Sequence, residues 1–127
     1  MTEHQTPKTV LVVEDEPLIR ALSVYELEDA GYVVLEAPTA VEALEILQSG
    51  TAIAVVFTDV NMPGDLDGLE LANLVRERWP KVRLIVTSGG GQVGAGDVRP
   101  PARFFPKPYR LDQMIAAVRE MVGAPND

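Results

Sequence analysis

Cysteine is absent from this chain, histidine occurs once, and no apolar run reaches the length of a membrane-spanning helix. Without cysteine there can be no disulfide bonds, thiolate nucleophiles or zinc–thiolate sites. The single histidine, His4, lies in a polar N-terminal stretch, which argues against a histidine-based metal or catalytic site. The same stretch lacks the apolar core of a signal peptide, and a membrane span needs about 18 apolar residues. These absences predict a cytoplasmic location.

Basic residues are also scarce: 11 lysines and arginines against 19 aspartates and glutamates leave a net charge of −8. A domain with this charge repels phosphate backbones and acidic lipids, so we expect no direct binding to nucleic acid or to membranes. The length of 127 residues, 46% of them hydrophobic, fits one domain with a buried core. We expect that domain to occupy residues 1–127, with its core at about 8–122 and short polar tails at 1–7 and 123–127.

Short apolar runs alternate with helical patterns along the chain. Five runs are predicted strands: Thr9–Glu14, Tyr32–Ala37, Ile53–Thr58, Val82–Thr87 and Arg103–Pro106. Four segments between and after them have helical periodicity or helix-end signals: Pro17–Ala30, Thr39–Ser49 with a capping box at Thr39 and Glu42, Leu69–Trp79 and Leu111–Val122. Continuous β-branched runs are typical of strands buried on both faces of a parallel sheet. The pattern therefore predicts a doubly wound α/β fold.

A glycine-rich stretch, SGGGQVGAG at residues 88–96, follows the fourth predicted strand and matches the G-x-G-x-x-G dinucleotide motif. That motif needs a helix to begin directly after the glycines, so that the helix N-terminus can hold a pyrophosphate. Residues 88–102 contain five glycines and two adjacent prolines, which is incompatible with an ordinary helix. We therefore expect the fourth helix of the fold to be shortened or replaced by a Gly/Pro-rich loop. A nucleotide- or flavin-binding module remains an alternative.

Charged and hydroxyl side chains stand where several predicted strands end: Glu14, Asp15, Asp59, Thr87 and, after the fifth strand, Lys107. The carboxyl ends of parallel strands meet at one edge of the sheet, so we expect these groups to converge there. Like charges about 4 Å apart repel by about 4 kcal/mol at an effective dielectric constant of 20, which favours a neutralising cation. Oxygen ligands without histidine or cysteine favour Mg²⁺. The set indicates phosphoryl transfer to a carboxylate.

Four motifs carry a family resemblance: LVVEDEP, TDVNMPGDLDGLEL, IVTSG and PKPY, in this order. The chain resembles the receiver domain of two-component response regulators over about residues 8–122. The resemblance implies a flavodoxin-like, five-stranded parallel sheet of order 2-1-3-4-5. It also implies a cis Lys107–Pro108 bond. The site residues that it implies are Asp59 as the phosphoacceptor, Glu14, Asp15, Asp59 and the backbone carbonyl of Asn61 as Mg²⁺ ligands, Thr87 and Lys107 as catalytic groups, and Thr87 and Phe104 as switch residues.

The function implied by the resemblance is phosphate-dependent signalling. Asp59 would accept a phosphoryl group from a sensor or hybrid histidine kinase, and the chain would then signal to a downstream protein or pass phosphate to a phosphotransfer protein. Such a receiver has only self-directed phosphorylation and dephosphorylation chemistry and is not otherwise an enzyme. A haloacid-dehalogenase-like phosphatase is the alternative, although that class usually has a second aspartate where this chain has Asn61. The chain also departs from the usual pattern of the family at several positions. Among them are Phe104, which lacks a tyrosine hydroxyl, and Arg110, which stands where a helix-capping residue is usual.

Overall fold

The structure is a computed structural model that describes residues 8–60, 62, 64, 66–89 and 102–125. Within these residues strands and helices alternate as far as the fourth strand. In chain order they are β1 (Thr9–Val13), α1 (Pro17–Asp29), β2 (Val33–Ala37), α2 (Ala40–Gln48), β3 (Val55–Asp59), α3 (Gly68–Arg78), β4 (Arg83–Ser88), β5 (Arg103–Pro106) and α4 (Leu111–Val122). The predicted elements agree with these bounds to within two residues.

All five strands run parallel, in the order β2-β1-β3-β4-β5, which confirms the predicted doubly wound sheet. Alternate residues of β1 face opposite layers, as the period of a strand requires. Leu11 and Val13 pack with buried residues of α2 and α3, whereas Val10 and Val12 pack with those of α1 and α4. The sheet is therefore covered on both faces, and its carboxyl edge is left for a site.

Two helix starts differ from the sequence-based expectation. The Thr39 side chain accepts a hydrogen bond from the Glu42 backbone N–H at 3.1 Å, but only this half of the predicted capping box forms. A complete, unpredicted capping box begins α3, where Asp67 and Glu70 each accept from the other's backbone N–H, at 2.8 and 3.0 Å. Arg110 precedes α4 and gives no side-chain cap, as expected. This capping box fixes the start of α3, which is the next helix after Asp59 in the chain.

The Gly/Pro-rich segment cannot be compared with the prediction made for it. Residues 90–101, which include most of SGGGQVGAG, lie outside the described residues. Across the described part of the chain, no helix is both long and apolar enough to cross a membrane.

The end of the chain contacts the beginning of the sheet. The Lys8 ammonium donates to the Val122 carbonyl at 2.8 Å, and the Lys8 backbone N–H donates to the Pro125 carbonyl at 2.8 Å. The Tyr32 hydroxyl donates to the Gly123 carbonyl at 3.0 Å. These contacts hold the C-terminus of α4 at the edge of the sheet opposite the charged strand ends.

Candidate functional site

Three carboxylates converge at the carboxyl edge of the sheet. Glu14 follows β1 and Asp59 ends β3; they are 4% and 6% exposed, and Asp15 is half-buried beside them. One ligand oxygen from each of the three lies within 4.8 Å of the others. The parallel pairing of β1 with β3 brings the two strand ends together, although 45 positions separate Glu14 from Asp59. The sequence prediction that these acids share one site is thus matched by their positions.

Lys107 connects two of these acids. Its ammonium donates to Asp59 Oδ2 at 2.6 Å and to Glu14 Oε1 at 3.2 Å. The residue lies in the turn between β5 and α4, where its backbone N–H donates to the Ser88 carbonyl at 2.9 Å. The Lys107–Pro108 peptide bond is cis, as the resemblance implies. The turn therefore aims a cation at the end of β3, between the carboxylates of two different strands.

The electrostatics of the cluster favour additional positive charge. Burial raises the pKa of Glu14; the Glu16 backbone N–H opposes this effect, and the nearby charge of Asp59 adds to it. Burial alone lowers the pKa of Lys107, but hydrogen bonds and charges from Asp59 and Glu14 outweigh it and raise that pKa above its ordinary value. Lys107 therefore remains protonated and supplies one positive charge against three carboxylates. The remaining negative charge, held by oxygen ligands alone, fits a hard divalent cation.

Thr87 lies on β4, next to the strand of Asp59, and Phe104 lies on β5, the strand beyond it. Thr87 lies in register with Asp59, is 1% exposed, and accepts a hydrogen bond from the Val60 N–H through its carbonyl at 2.8 Å. Phe104 pairs with Val86 and is partly buried against the core on the α2/α3 face. Asn61 lies outside the described residues, so its carbonyl as a metal ligand stays a prediction.

Two residues near the site were not identified from the sequence. Gly68, the first residue of α3, lies so close to Asp59 that a Cβ atom would be 1.8 Å from the Asp59 carbonyl oxygen. Arg20, in α1, donates from Nη1 to the Glu14 carbonyl at 2.8 Å. The available signals were a glycine directly before the predicted helix Leu69–Trp79 and the only basic residue of α1. Neither signal specifies a partner.

An apolar cavity of about 380 Å³ adjoins the site and includes Lys107 in its lining. Most of the other lining residues come from α1 and from the β5–α4 turn, among them Leu22, Ser23 and Tyr109, and Gly89 and Leu111 complete the lining. Burial raises the pKa of the Tyr109 phenol, whose hydroxyl is hydrogen-bonded to Ser23, and its ring meets Phe57 edge-on at 5.6 Å. Next to the cavity, α1 exposes three large hydrophobic side chains: Leu18, Leu22 and Tyr25.

Comparison with known proteins agrees with this geometry. Residues 10–119 match the family described as "Response regulator receiver domain". The chain belongs to this family. Receivers are the phosphoacceptors of two-component signalling and bind Mg²⁺ at an acidic pocket, which in this receiver corresponds to the cluster of Glu14, Asp15 and Asp59. The assignment supports neither the phosphatase nor the nucleotide-binding alternative.

Similar proteins cover most of the receiver. It is 30% identical to the response regulator receiver protein CpdR of Brucella abortus, over 92% of this chain and 98% of that protein. It is 39% identical to the sensor kinase CckA of Brucella abortus over 95% of this chain, but it spans only 13% of that kinase. The crystal structure of a response regulator receiver protein from Sinorhizobium medicae superposes with a TM-score of 0.83 at 29% identity, covering 94% of this chain and 98% of that one.

Proposed function

We propose that Asp59 is the phosphoacceptor of this receiver and that it takes a phosphoryl group from a histidine kinase. The observation that carries the proposal is the buried Asp59 carboxylate at the end of β3, with the Lys107 ammonium at 2.6 Å and two further acids beside it. A carboxylate oxygen of Asp59 attacks the phosphorus atom of the kinase's phosphohistidine. The bond from phosphorus to the histidine ring nitrogen breaks, and that nitrogen keeps the electron pair. The product is an acyl phosphate on Asp59.

The positions of the surrounding residues support the roles that we propose for them. Glu14, Asp15 and Asp59 would hold Mg²⁺, with the Asn61 carbonyl as the predicted further ligand. A bound Mg²⁺ would neutralise charge on the transferring phosphoryl group. Lys107 supplies a positive charge that remains near Asp59 throughout, because it is anchored on the β5–α4 turn. The Thr87 hydroxyl, on the strand next to Asp59, would hydrogen-bond a phosphoryl oxygen.

The donor is proposed to be a sensor or hybrid histidine kinase that contacts the exposed side of α1. Similarity to the sensor kinase CckA supports this class of partner. Leu18, Leu22 and Tyr25 form an exposed apolar stripe beside the cavity that contains Lys107, so a protein bound there would lie next to Asp59. The phosphorylated receiver would then act on a downstream protein or a phosphotransfer protein. Its own chemistry would be limited to its phosphorylation and dephosphorylation.

Labelling with a small phosphodonor tests the acceptor. Acetyl phosphate with Mg²⁺ should phosphorylate the wild type, and mass spectrometry should place the label on Asp59. Asp59→Asn should remain unlabelled, because an amide is not the nucleophile that a carboxylate is. EDTA should abolish labelling of the wild type. Equal labelling of the wild type and Asp59→Asn would refute the assignment.

A matched pair of surface variants tests the kinase contact. Leu22 on α1 and Val41 on α2 are equally exposed, at 48% and 49%. With a histidine kinase that phosphorylates the wild type, Leu22→Glu should reduce the rate of transfer by about tenfold or more, because burying even a neutral polar group without a partner costs about 1–3 kcal/mol and an ionised carboxylate costs more. Val41→Glu should leave transfer unchanged, and both variants should react normally with acetyl phosphate. A similar loss of transfer from the kinase in both variants would contradict a contact at α1, and so would unchanged transfer in both.

A further inference from the structure

The Arg20 side chain spans from α1 to two different strands. Its Nη1 donates to the backbone carbonyl of Glu14, after β1, at 2.8 Å, and its Nε pairs with the Glu36 carboxylate, on β2, at 3.1 Å. The Arg20 side chain is 19% exposed, compared with 51% for Glu36. The guanidinium is planar, so two contacts made in different directions also determine its orientation.

The Glu14 carbonyl is part of the peptide group that joins Glu14 to Asp15. Because a peptide group is planar, a hydrogen bond that fixes the direction of its carbonyl also fixes where the Cα of the next residue lies. The Glu14 backbone N–H is held as well, by the Ala37 carbonyl at 3.1 Å. At the following helix start, Glu16 provides no side-chain cap. The Glu14 carboxylate accepts a hydrogen bond from the Glu16 backbone N–H at 3.2 Å, and Arg20 adds a second side-chain link, from within α1 to this turn.

By its charge alone, Arg20 would weaken cation binding at the acidic cluster, whereas a side chain that positions the ligands would strengthen it. An arginine near an acidic cluster repels an incoming cation, so its removal would strengthen cation binding on electrostatic grounds. The Glu36 carboxylate already pairs with this guanidinium, which reduces its effect on the cluster. A geometric role therefore predicts a change of opposite sign to an electrostatic role when Arg20 is truncated.

We propose that Arg20 is a positioning residue for the divalent-cation site: its guanidinium, anchored on Glu36, holds the Glu14–Asp15 peptide group and thereby places the two carboxylates. The inference rests on the proposed function, in which these acids hold Mg²⁺. Hydrogen-bond partners that orient metal ligands typically change metal affinity by about 10- to 100-fold when they are removed. Arg20 would act at the lower end of that range, because it contacts the backbone rather than the ligand atoms.

Mg²⁺ titration followed by amide NMR shifts tests the proposal. Arg20→Ala and Arg20→Lys should each bind Mg²⁺ about tenfold more weakly than the wild type. Alanine removes both hydrogen bonds, and lysine keeps the charge but lacks the planar guanidinium that donates in two directions. The matched control is Arg103→Ala, which removes an ion pair with Glu120 of 2.9 Å at the opposite end of the sheet and should leave Mg²⁺ affinity unchanged. Affinity that is equal or tighter in both Arg20 variants would overturn the proposal.

A second readout separates positioning from a loss of folding. The rate of labelling by acetyl phosphate should reach half its maximum at about tenfold higher Mg²⁺ in Arg20→Lys, while the maximal rate stays near that of the wild type. A fall in the maximal rate with an unchanged Mg²⁺ midpoint would contradict positioning. Asp15→Asn distinguishes the two levels of the argument: if the wild type and Asp15→Asn bind Mg²⁺ equally, the proposed site itself is wrong, whatever Arg20 does.

Discussion

Replacing Gly68 by alanine should distort the phosphorylation site through the backbone. A Cβ atom at this position would lie 1.8 Å from the Asp59 carbonyl oxygen, 2.7 Å from its carbonyl carbon and 2.9 Å from the Val60 Cα. All three are main-chain atoms, so no side-chain rotation can relieve the contact. An ordinary contact begins near 3.4 Å, so the start of α3 and the end of β3 must separate by about 1.6 Å.

The magnitude follows from three contributions. Overpacking in a rigid environment costs about 1–3 kcal/mol. The hydrogen bond from the Gly68 N–H to the Val60 carbonyl, now 3.1 Å long, would weaken and cost up to about 1 kcal/mol. Alanine regains at most about 1 kcal/mol of helix propensity. We therefore expect Gly68→Ala to lower the free energy of unfolding by about 2 kcal/mol, or the melting temperature by about 8 °C for a chain of this size.

Guanidinium denaturation followed by circular dichroism measures the stability loss, and acetyl phosphate labelling measures the effect on Asp59. Labelling should slow markedly, because the displaced carbonyl belongs to the acceptor residue. Gly89→Ala is the matched control, since a Cβ there meets the Lys107 side chain at an ordinary 3.4 Å. Gly50→Ala isolates the cost of a positive φ, +88°, in open space. Wild-type stability and labelling in Gly68→Ala would refute the steric argument.

Three further predictions concern charge at the site. Asp15→Asn should stabilise the metal-free protein by about 1 kcal/mol at neutral pH, because it removes one of three carboxylates whose oxygens lie within 4.8 Å; a melting temperature below that of the wild type in EDTA would show that repulsion is not the dominant effect. Lys107→Ala should lower the free energy of unfolding by about 3 kcal/mol in EDTA, since it removes the ammonium that pairs with buried Asp59 and Glu14. Mg²⁺ should then restore more stability to this variant than it adds to the wild type. Equal Mg²⁺-induced shifts in melting temperature would contradict this. Because burial raises the pKa of Tyr109 in the folded state, its contribution to stability should be intact below pH 10.0 and decline above it. The near-ultraviolet difference titration between the wild type and Tyr109→Phe should have a midpoint above 10.0, and a lower midpoint would disprove the shift.

Local sequence was sufficient for the secondary structure and for much of the site. The apolar runs have the length and branching of buried strands, and their ends agree with the structure to within two residues. Once a parallel sheet was inferred, Glu14 and Asp59 had to lie at the same edge, because the carboxyl ends of parallel strands share one. That step needs only strand direction, which the alternation of strands and helices supplies. Their close approach also needs β1 and β3 to be neighbours, as in the strand order that the family resemblance implies.

Tertiary structure decided which atoms meet at that edge. Lys107 contacts Asp59 and Glu14, residues 48 and 93 positions away, and this choice depends on how the β5–α4 turn lies over the sheet. The contact of Gly68 with the Asp59 carbonyl and that of Arg20 with the Glu14 carbonyl arise in the same way, from the angle at which α3 and α1 pack. Residue periodicity specifies which face of a helix is buried, but the position of one atom against another depends on packing between elements that are distant in the sequence.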